Sequence, residues 1–368
     1  DCKGNIFVVH NGIIENHQIL KEKLQQQGHK FVSQTDTEVL AHLIEQFFKA
    51  RPPASQRGEP ARQGNLEDAV RKALRLVKGT YGIAVISSQD PEKIVAAKLS
   101  SPLVLLVNKT GGFIASDASA LVSHSKKMVF LDDGDVAVIR RDRFTVTDLG
   151  NHIREKETTE LDWDVQGAQK GGYEHFMMKE MMEQPESLEN AMRGRIIPKE
   201  GNVKLGGLDQ VSKKIQESDK ISIIACGTSY HAGLAGEYMF EEYAGIPTEV
   251  DISSEFRYRK AAVDQKTVSL FISQSGETAD TLGAIKEVKG KGGLTLGIVN
   301  VIGSSIAREM DAGVYNHAGP EIGVASTKAF TSQLVVLALL TVFLGRQRGM
   351  SLATGRRIAR ELQRLPKL

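Results

Sequence analysis

The sequence is poor in cysteine, in tryptophan and in excess charge of either sign. Its 368 residues include two cysteines, one tryptophan and ten prolines, and aromatic residues make up 6% of the chain. Cys2 and Cys226 lie too far apart in the sequence to form a disulfide framework or a metal cluster by themselves. We therefore expect no metal, and a reducing, cytoplasmic location.

The charges nearly cancel, which argues against polyanionic partners. Lys and Arg together number 47 and Asp and Glu 45, so the formal net charge is +2. A protein whose main task is to bind nucleic acid or anionic lipid usually carries a clear excess of basic residues. We expect no nucleic-acid partner.

Long apolar runs are also missing. No run reaches the roughly 18 residues that a membrane-spanning helix requires. The stretch 334–344 comes closest, is apolar apart from Thr341, and is typical of a buried helix. We expect no membrane partner, and a composition of 41% hydrophobic and 25% charged residues is typical of a globular protein.

The length allows at least two domains, since domains commonly contain roughly 100–200 residues. Residues 1–155 alternate short β-rich runs with helical patches, which predicts an α+β domain. Residues 156–172 are polar and predict a linker, in which Trp163 packs onto a domain. Residues 51–64 contain three prolines and no apolar periodicity, and predict an exposed loop.

From residue 173 to about residue 350 the pattern changes to strands that are each followed by a helix. The predicted strands are Lys220–Ala225, Val268–Ile272 and Thr295–Val299. The predicted helices are His231–Tyr243, Thr278–Lys289, Ser304–Met310 and Ser332–Leu344. Nearly continuous apolar strands are buried on both sides. The pattern therefore predicts an α/β domain with a parallel sheet that helices cover on both faces.

Two loops of small, hydroxylated residues follow predicted strands. They are Cys226–Ser229 and Ser273–Thr278. Because right-handed crossovers bring the carboxyl ends of parallel strands to one edge, both loops should border the same crevice. Hydroxyls and unpaired N–H groups at a helix start suit a single phosphate, although such residues also simply cap helices. The segment Glu321–Lys328 has the same character and is expected to close the site from a third side.

The amino-terminal region offers two ambiguous signals. Asn11 and Gly12 follow an apolar strand, and an Asn amide with a Gly N–H is the donor pair of an oxyanion hole. Asn-Gly is equally a turn signal, and spacing alone favours the turn. Asp36, within Thr35–Glu38, either helps to begin a helix or binds a substrate ammonium group.

Six segments taken together resemble one family. They are VVHNGIIEN, SQTDTEV, ASDASAL, SEFRYRK, SQSGETADTL and EIGVASTKAFT. The combination is similar to the glutamine:fructose-6-phosphate aminotransferases, the glucosamine-6-phosphate synthases of amino-sugar biosynthesis, along essentially the whole chain. The resemblance implies an N-terminal-nucleophile hydrolase αββα sandwich for residues 1–155. For residues 173–350 it implies a sugar isomerase (SIS) domain, a three-layer αβα sandwich with a parallel sheet.

The resemblance also implies roles for individual residues. Asn11 and Gly12 would form the oxyanion hole for glutamine hydrolysis, and Asp36 would bind the glutamine α-amino group. Eight residues would hold the sugar and phosphate of fructose 6-phosphate: Thr228, Ser229, Ser273, Gln274, Ser275, Thr278, Val324 and Ser326. Ammonia from glutamine would convert fructose 6-phosphate to glucosamine 6-phosphate in a homodimer, without pyridoxal phosphate or metal.

Parts of that machinery are expected to lie outside this sequence. The family's nucleophile is a cysteine at the mature amino terminus, whereas Cys2 matches an internal DCxG stretch and is not expected to replace it. Residues 351–368 would begin the connection to a second SIS domain, which carries the isomerising residues. We therefore expect the chain alone to bind sugar phosphate weakly and not to turn over.

Three other functions explain less of the sequence. A non-catalytic sugar-phosphate-binding SIS protein would account for the two strand-end loops but not for HNGIIEN. Another class II amidotransferase would not account for SQSGET. A dinucleotide-dependent dehydrogenase would need GxGxxG after the strand Lys220–Ala225, and the sequence there lacks it.

Overall fold

The computed structural model describes residues 1–49, 65–161 and 170–368. The predicted loop 51–64 and Trp163 lie outside these residues. The chain divides into two compact units, Asp1–Glu160 and Leu161–Leu368.

The first unit contains two antiparallel sheets. In chain order their strands are β1 (Ile6–Ile14), β2 (Gly79–Ser87), β3 (Asp90–Leu99), β4 (Val104–Asn108), β5 (Gly111–Ala115), β6 (Lys127–Phe130), β7 (Asp135–Ile139), β8 (Phe144–Asp148) and β9 (Thr159–Glu160). One sheet has the order β1–β2–β3–β7–β8, and the other has the order β5–β4–β6–β9.

Helices cover one face of the five-stranded sheet, and the second sheet covers the other. The helices are α1 (His17–Gln26), α2 (Asp36–Lys49) and α3 (Leu66–Leu74). Alternation along β3 separates the two cores, because Val95 and Ala97 pack among the helices while Ala96 packs against the second sheet. The described residues thus build one helical layer and both sheets of the predicted αββα sandwich.

The second unit is built on a parallel sheet. A small hairpin, β10 (Ile196–Ile197) and β11 (Asn202–Val203), precedes the sheet in the chain. The sheet strands are β12 (Lys220–Ala225), β13 (Thr248–Ile252), β14 (Thr267–Ser273), β15 (Leu294–Val299) and β16 (Ala312–Tyr315). Their order is β13–β12–β14–β15–β16, with every neighbouring pair parallel.

Helices pack on both faces of this sheet. They are α4 (Phe176–Met182), α5 (Gln184–Met192), α6 (Ser212–Gln216), α7 (Gly227–Met239), α8 (Ser253–Tyr258), α9 (Ala279–Gly290), α10 (Ser305–Glu309), α11 (Lys328–Gln347) and α12 (Leu352–Arg364). One core joins the sheet to α5, α7 and α11, and another joins it to α8, α9 and α10. The predicted three-layer αβα sandwich is confirmed.

Helix α11 contains the apolar stretch 334–344. By length and composition alone it is one helix that could cross a membrane, but 72% of its most apolar window is buried inside the protein. Val336, Leu337 and Leu339 are completely buried in the core of the second unit. The prediction of a buried helix is confirmed, and its burial accounts for its apolar character.

Candidate active site

The two hydroxyl-rich loops leave the parallel sheet side by side. Strand β12 is followed in the chain by β13 on one side of it, whereas β14 lies on its other side. The neighbouring strands β12 and β14 end together, with Ala225 opposite Ile272. The loops 226–229 and 273–278 therefore begin at the point where the strand order reverses, which is where open α/β sheets bind ligands.

Helix α7 begins at Gly227, four residues earlier than predicted. Cys226 is still extended, and Gly227 has φ +58°, a conformation that glycine adopts without strain. The sharp turn starts the helix in residues of weak helix propensity, which is why the prediction of a start at His231 was wrong. Thr228 and Ser229 consequently lie in the first turn, where backbone N–H groups have no acceptor within the helix. Such a turn attracts anions.

Ser229 is held from a distant part of the chain. Its side chain is buried, and its Oγ accepts a hydrogen bond of 3.0 Å from Nε2 of Gln333 in α11. Because this oxygen acts as acceptor towards Gln333, the hydroxyl proton of Ser229 can be donated elsewhere. Gln333 could not be identified from the sequence, because a glutamine within an apolar helix gives no local signal of its partner.

The second loop is organised by Ser273, the last residue of β14. Its buried Oγ accepts the N–H of Gly276 at 3.0 Å and lies 3.2 Å from Oγ1 of Thr278. Gly276 has φ +68°, and a Cβ there would lie 2.0 Å from Oγ of Ser304. The loop is therefore tightly fixed before α9 begins.

The remaining polar side chains of this loop are partly accessible. Gln274, Ser275 and Thr278 are all half-buried. The Oγ of Ser275 accepts the N–H of Glu277 at 3.2 Å, and Oε1 of Glu277 accepts the N–H of Ser305 at 2.8 Å. Glu277 thus points at the start of α10, and neither strand-end loop contains a lysine or an arginine.

The third segment is held by a carboxylate of its own. Oε2 of Glu321 accepts the hydroxyl of Ser326 at 2.8 Å, while Oε1 accepts the N–H groups of Thr327 at 2.8 Å and Ala329 at 3.1 Å. This cap lets α11 begin at Lys328, so the predicted start at Ser332 was wrong.

The neighbouring part of the segment is anchored to the helices before the sheet. Glu180 in α4 accepts the N–H groups of Ile322 at 2.6 Å and Gly323 at 3.0 Å. Lys328 forms an ion pair of 2.6 Å with Glu183. Val324, between these anchors, is fully exposed. It is therefore available to a ligand rather than to the core.

In the first unit, Asn11 and Gly12 lie inside β1 and not in a turn. They are opposite Gly82 and Tyr81 of β2, and β1 continues to Ile14. The predicted turn was therefore wrong, because pairing with β2 extends the strand through the Asn-Gly pair. Gly12 has φ +135°, and a Cβ there would lie 2.2 Å from the carbonyl oxygen of Thr80.

Asp36 is joined to the end of the same strand. It is the first residue of α2, and its Oδ2 accepts the N–H of Ile14 at 2.8 Å. Nδ1 of His10 lies 3.9 Å from the same oxygen and 3.1 Å from Oγ1 of Thr37. The structure therefore brings Asp36 next to the segment that contains Asn11 and Gly12.

The start of α2 is fixed by Glu38. Its carboxylate accepts the N–H groups of Val32 and Ser33, both at 2.7 Å, and the hydroxyl of Ser33 at 2.6 Å. Burial raises the pKa of Glu38, but these hydrogen bonds and one from His42 outweigh it and lower the pKa to about 2. Glu38 is therefore ionised near neutral pH and holds the first turn of the helix that carries Asp36.

Comparison with known proteins finds a domain family similar to part of each unit. Residues 1–123 match a glutamine amidotransferase domain, and residues 214–343 match the SIS domain. The glutamine–fructose-6-phosphate aminotransferase (isomerizing) of Chlorobaculum tepidum is 49% identical over 366 residues, and that of a strain of Thermus thermophilus is 46% identical over 367 residues. These alignments cover 100% and 99% of this chain, but the chain spans only 58% of the length of either relative.

A solved structure of a related protein is similar to part of this chain in fold. The C-terminal domain of glucosamine-fructose-6-phosphate aminotransferase from Francisella tularensis is 39% identical, with a TM-score of 0.52. The match covers 54% of this chain and 56% of that structure. The chain is thus similar over its whole length to the glutamine–fructose-6-phosphate aminotransferases, with one part that matches a glutamine amidotransferase domain and another that matches a SIS domain.

Proposed function

We propose that this chain supplies the glutamine-hydrolysing domain and a sugar-phosphate-binding domain of an enzyme that makes glucosamine 6-phosphate. The substrates would be glutamine and fructose 6-phosphate, and ammonia released in the first domain would be used in the SIS region. The names of the relatives support this reaction. The observation that carries the proposal is the pair of hydroxyl-rich loops at the strand-order reversal of the parallel sheet.

The chemistry of this crevice suits one phosphate on a small polyol. The first turn of α7 offers N–H groups and the hydroxyls of Thr228 and Ser229, and the loop after β14 offers Ser273, Ser275 and Thr278. Gln274 has both a donor and an acceptor for sugar hydroxyls. Without lysine or arginine in either loop, the phosphate charge would be stabilised by the helix dipoles and by oriented hydrogen bonds.

Val324 and Ser326 would complete the sugar site from the third segment. Ser326 donates its hydroxyl proton to Glu321, so its oxygen remains able to accept a hydrogen bond from a sugar hydroxyl. Val324 is exposed and offers an apolar surface.

The glutamine site would use the end of β1 and the start of α2. Asn11 and Gly12 would donate to the oxyanion that forms during hydrolysis of the glutamine amide. The carboxylate of Asp36, one oxygen of which holds Ile14, would bind the α-ammonium group of glutamine. This arrangement requires a nucleophile in addition to these residues.

We further propose a cytoplasmic homodimer that acts on small molecules. The near-neutral charge of +2 gives no reason to expect nucleic acid or a membrane as a partner. Sedimentation of the full chain at increasing concentration measures the association directly.

Two serines of β14 provide the test of the sugar-phosphate site. Ser273 organises its loop, whereas Ser269, buried on the same strand, has an Oγ without a hydrogen-bond partner in the part of the chain that the structure describes. Calorimetric titration of the chain with fructose 6-phosphate should give one site. Ser273→Ala is expected to weaken binding roughly 3- to 10-fold through the loss of about one hydrogen bond. Ser269→Ala is expected to bind like the wild type.

Two outcomes would contradict the proposal. Absence of saturable binding to the folded wild-type chain would exclude the site. Equal affinity of Ser273→Ala and Ser269→Ala would exclude the strand-end loop as its location. Titration with fructose, which lacks the phosphate, measures how much of the binding affinity for fructose 6-phosphate comes from the phosphate group.

A further inference from the structure

We propose that Cys2, His29, His42 and Glu45 bind one zinc-type divalent cation in the first unit. Potential ligand atoms of all four residues lie within 4.8 Å of one another. The site shares no ligand residue with the proposed glutamine and sugar-phosphate sites.

The distances between the ligand atoms are those of a coordination shell. Nδ1 of His29 lies 3.1 Å from Nδ1 of His42, and Sγ of Cys2 lies 3.5 Å and 3.4 Å from these two nitrogens. Oε2 of Glu45 lies 3.4 Å and 3.7 Å from the same nitrogens. Zinc bond lengths of about 2.0–2.3 Å place tetrahedral ligand atoms about 3.3–3.6 Å apart. The four residues thus match a tetrahedral site with a small adjustment.

Both histidines are oriented through their other nitrogen. Nε2 of His29 lies 2.9 Å from Oε1 of Gln46, and Nε2 of His42 lies 3.5 Å from Oε1 of Glu38. Oxygen acceptors at Nε2 favour the tautomer with the proton there and a lone pair on each Nδ1, which is how ligating imidazoles are usually supported. Two such lone pairs 3.1 Å apart repel each other unless a cation lies between them.

Local structure explains why these residues meet. Helix α1 ends in a Schellman motif, in which Gly28 with φ +90° donates to Gln25 at 3.0 Å and His29 donates to Leu24 at 3.0 Å. This motif turns His29 back towards α2. There His42 and Glu45 are three residues apart and share one face of the helix.

Cys2 approaches the same point from the turn before β1. Its backbone N–H donates to Oε2 of Glu45 at 3.1 Å, which fixes the turn against α2. The side chains of His29, His42 and Glu45 are buried, whereas Cys2 is exposed. A cation can therefore enter from solvent on the Cys2 side and bind the three buried ligands, His29, His42 and Glu45.

The ligand set indicates the class of metal. One thiolate, two imidazoles and one carboxylate suit zinc, whereas magnesium and calcium prefer shells made only of oxygen. Cys2 would bind as the thiolate, with its proton released to water. The spacing of the two cysteines predicted no metal, because these four ligands come from three separate segments of the sequence. The cation would tie the turn before β1 and the end of α1 to α2.

The test uses the full chain and two cysteine variants. After treatment with a chelator, the chain is titrated with zinc, and separately with cobalt(II), whose spectrum reports thiolate coordination and tetrahedral geometry. The wild type should bind one zinc per chain and give a cobalt spectrum with a sulfur charge-transfer band. Cys2→Ala should lose that band, and the matched variant Cys226→Ala should keep it.

A variant outside the ligand set tests the orientation of His29. Gln46→Leu should weaken zinc binding roughly 10- to 100-fold while the cobalt band persists at saturation. Circular dichroism of each variant without metal establishes that it is folded. Failure of the folded wild type to bind zinc would overturn the proposal. A cobalt spectrum without a sulfur band, or one that Cys2→Ala leaves unchanged, would overturn it equally and favour a hydrogen-bonded cluster without metal.

Discussion

At the residue scale, Asp36 combines a structural contact with a charge that a ligand can use. Its Oδ2 accepts the N–H of Ile14, and 23% of its side chain remains exposed. An asparagine can keep the acceptor oxygen but not the charge. Asp36→Asn should therefore fold normally and weaken glutamine binding at least roughly 10-fold, because hydrogen bonds to charged groups contribute about 1.5–3 kcal/mol.

Glutamine binding to this variant can be followed by the thermal shift that glutamine produces. Asp142→Asn, in which the aspartate replaced is 71% exposed in the turn between β7 and β8, is the control and should respond like the wild type. If Asp36→Asn keeps the full shift, Asp36 is not the ammonium-binding residue.

At Gly12 the backbone of β2 approaches too closely to leave room for a side chain. An alanine there would meet the carbonyl oxygen of Thr80 at 2.2 Å, whereas at Gly4, which has φ +65°, nothing lies within 4 Å of an added Cβ. Both substitutions carry the cost of positive φ, about 1–2 kcal/mol. Gly12→Ala should cost about 1–3 kcal/mol more, since the strands must separate.

Urea denaturation of the two glycine variants measures this difference. Equal losses of unfolding free energy would mean that β1 and β2 are not in close contact at Gly12. Such a result would also remove the support for an oxyanion hole at this position.

Tyr81 lies opposite Gly12 on β2, and its raised pKa predicts that the free energy of unfolding depends on pH. Burial, and secondarily the negative charge of Asp133, raises the pKa of Tyr81 from 10.0 to about 12. Folding therefore favours the neutral phenol. The stabilisation is complete below pH 10 and is lost as the pH rises through 12. Tyr81→Phe should make the decline in stability between pH 10 and pH 12 less steep.

The measurement for Tyr81 is the free energy of unfolding in urea at several alkaline pH values. An identical slope for the wild type and Tyr81→Phe would contradict the burial of this phenol in the sheet.

At the scale of elements, a side chain outside helix α11 fixes the start of that helix. Glu321 caps the start of α11, because its carboxylate accepts the backbone N–H groups of Thr327 and Ala329. Glu321→Ala would remove this cap and should lower the free energy of unfolding by about 1–2 kcal/mol. It should also release the segment that contains Ser326.

Glu174→Ala is the matched control, because the side chain of Glu174 is 88% exposed. It should change stability by less than about 0.5 kcal/mol. Hydrogen exchange of residues 322–327 should accelerate in Glu321→Ala only. Unchanged exchange there would mean that Glu321 does not hold the segment.

The strands were predicted closely, and α9 and α10 begin within one residue of the predicted starts, whereas α7 and α11 begin four residues earlier than predicted. A strand buried on both faces is a continuous apolar run, so β12 was predicted at its observed bounds and β14 and β15 within one residue at each end. The starts of α7 and α11 depend instead on a glycine turn at Gly227 and on a carboxylate six or more residues away, Glu321. Neither feature has a local signature in residue propensity.

The candidate sites were predictable to the extent that each lies in one loop. The hydroxyl-rich loops after β12 and β14 could be found because strand ends in a parallel sheet converge. Gln333 beside Ser229, and the cluster around Cys2, could not be found, since their members are separated in sequence and meet only through tertiary packing.

At the scale of the whole molecule, the near-neutral net charge is consistent with the lack of basic residues in the proposed phosphate site. A net charge of +2 and two loops without basic residues fit a site that binds one phosphate with helix N-termini and hydroxyls. The two compact units each have their own buried cores, so the proposed glutamine binding and the proposed sugar-phosphate binding can be tested separately in one chain.

The most direct test of the account is a crystal structure of this chain with fructose 6-phosphate. We expect the phosphate at the carboxyl ends of β12 and β14, within hydrogen-bonding distance of the first turn of α7 and of the loop 273–278. Phosphate bound at any other surface, with this crevice occupied only by water, would contradict the account.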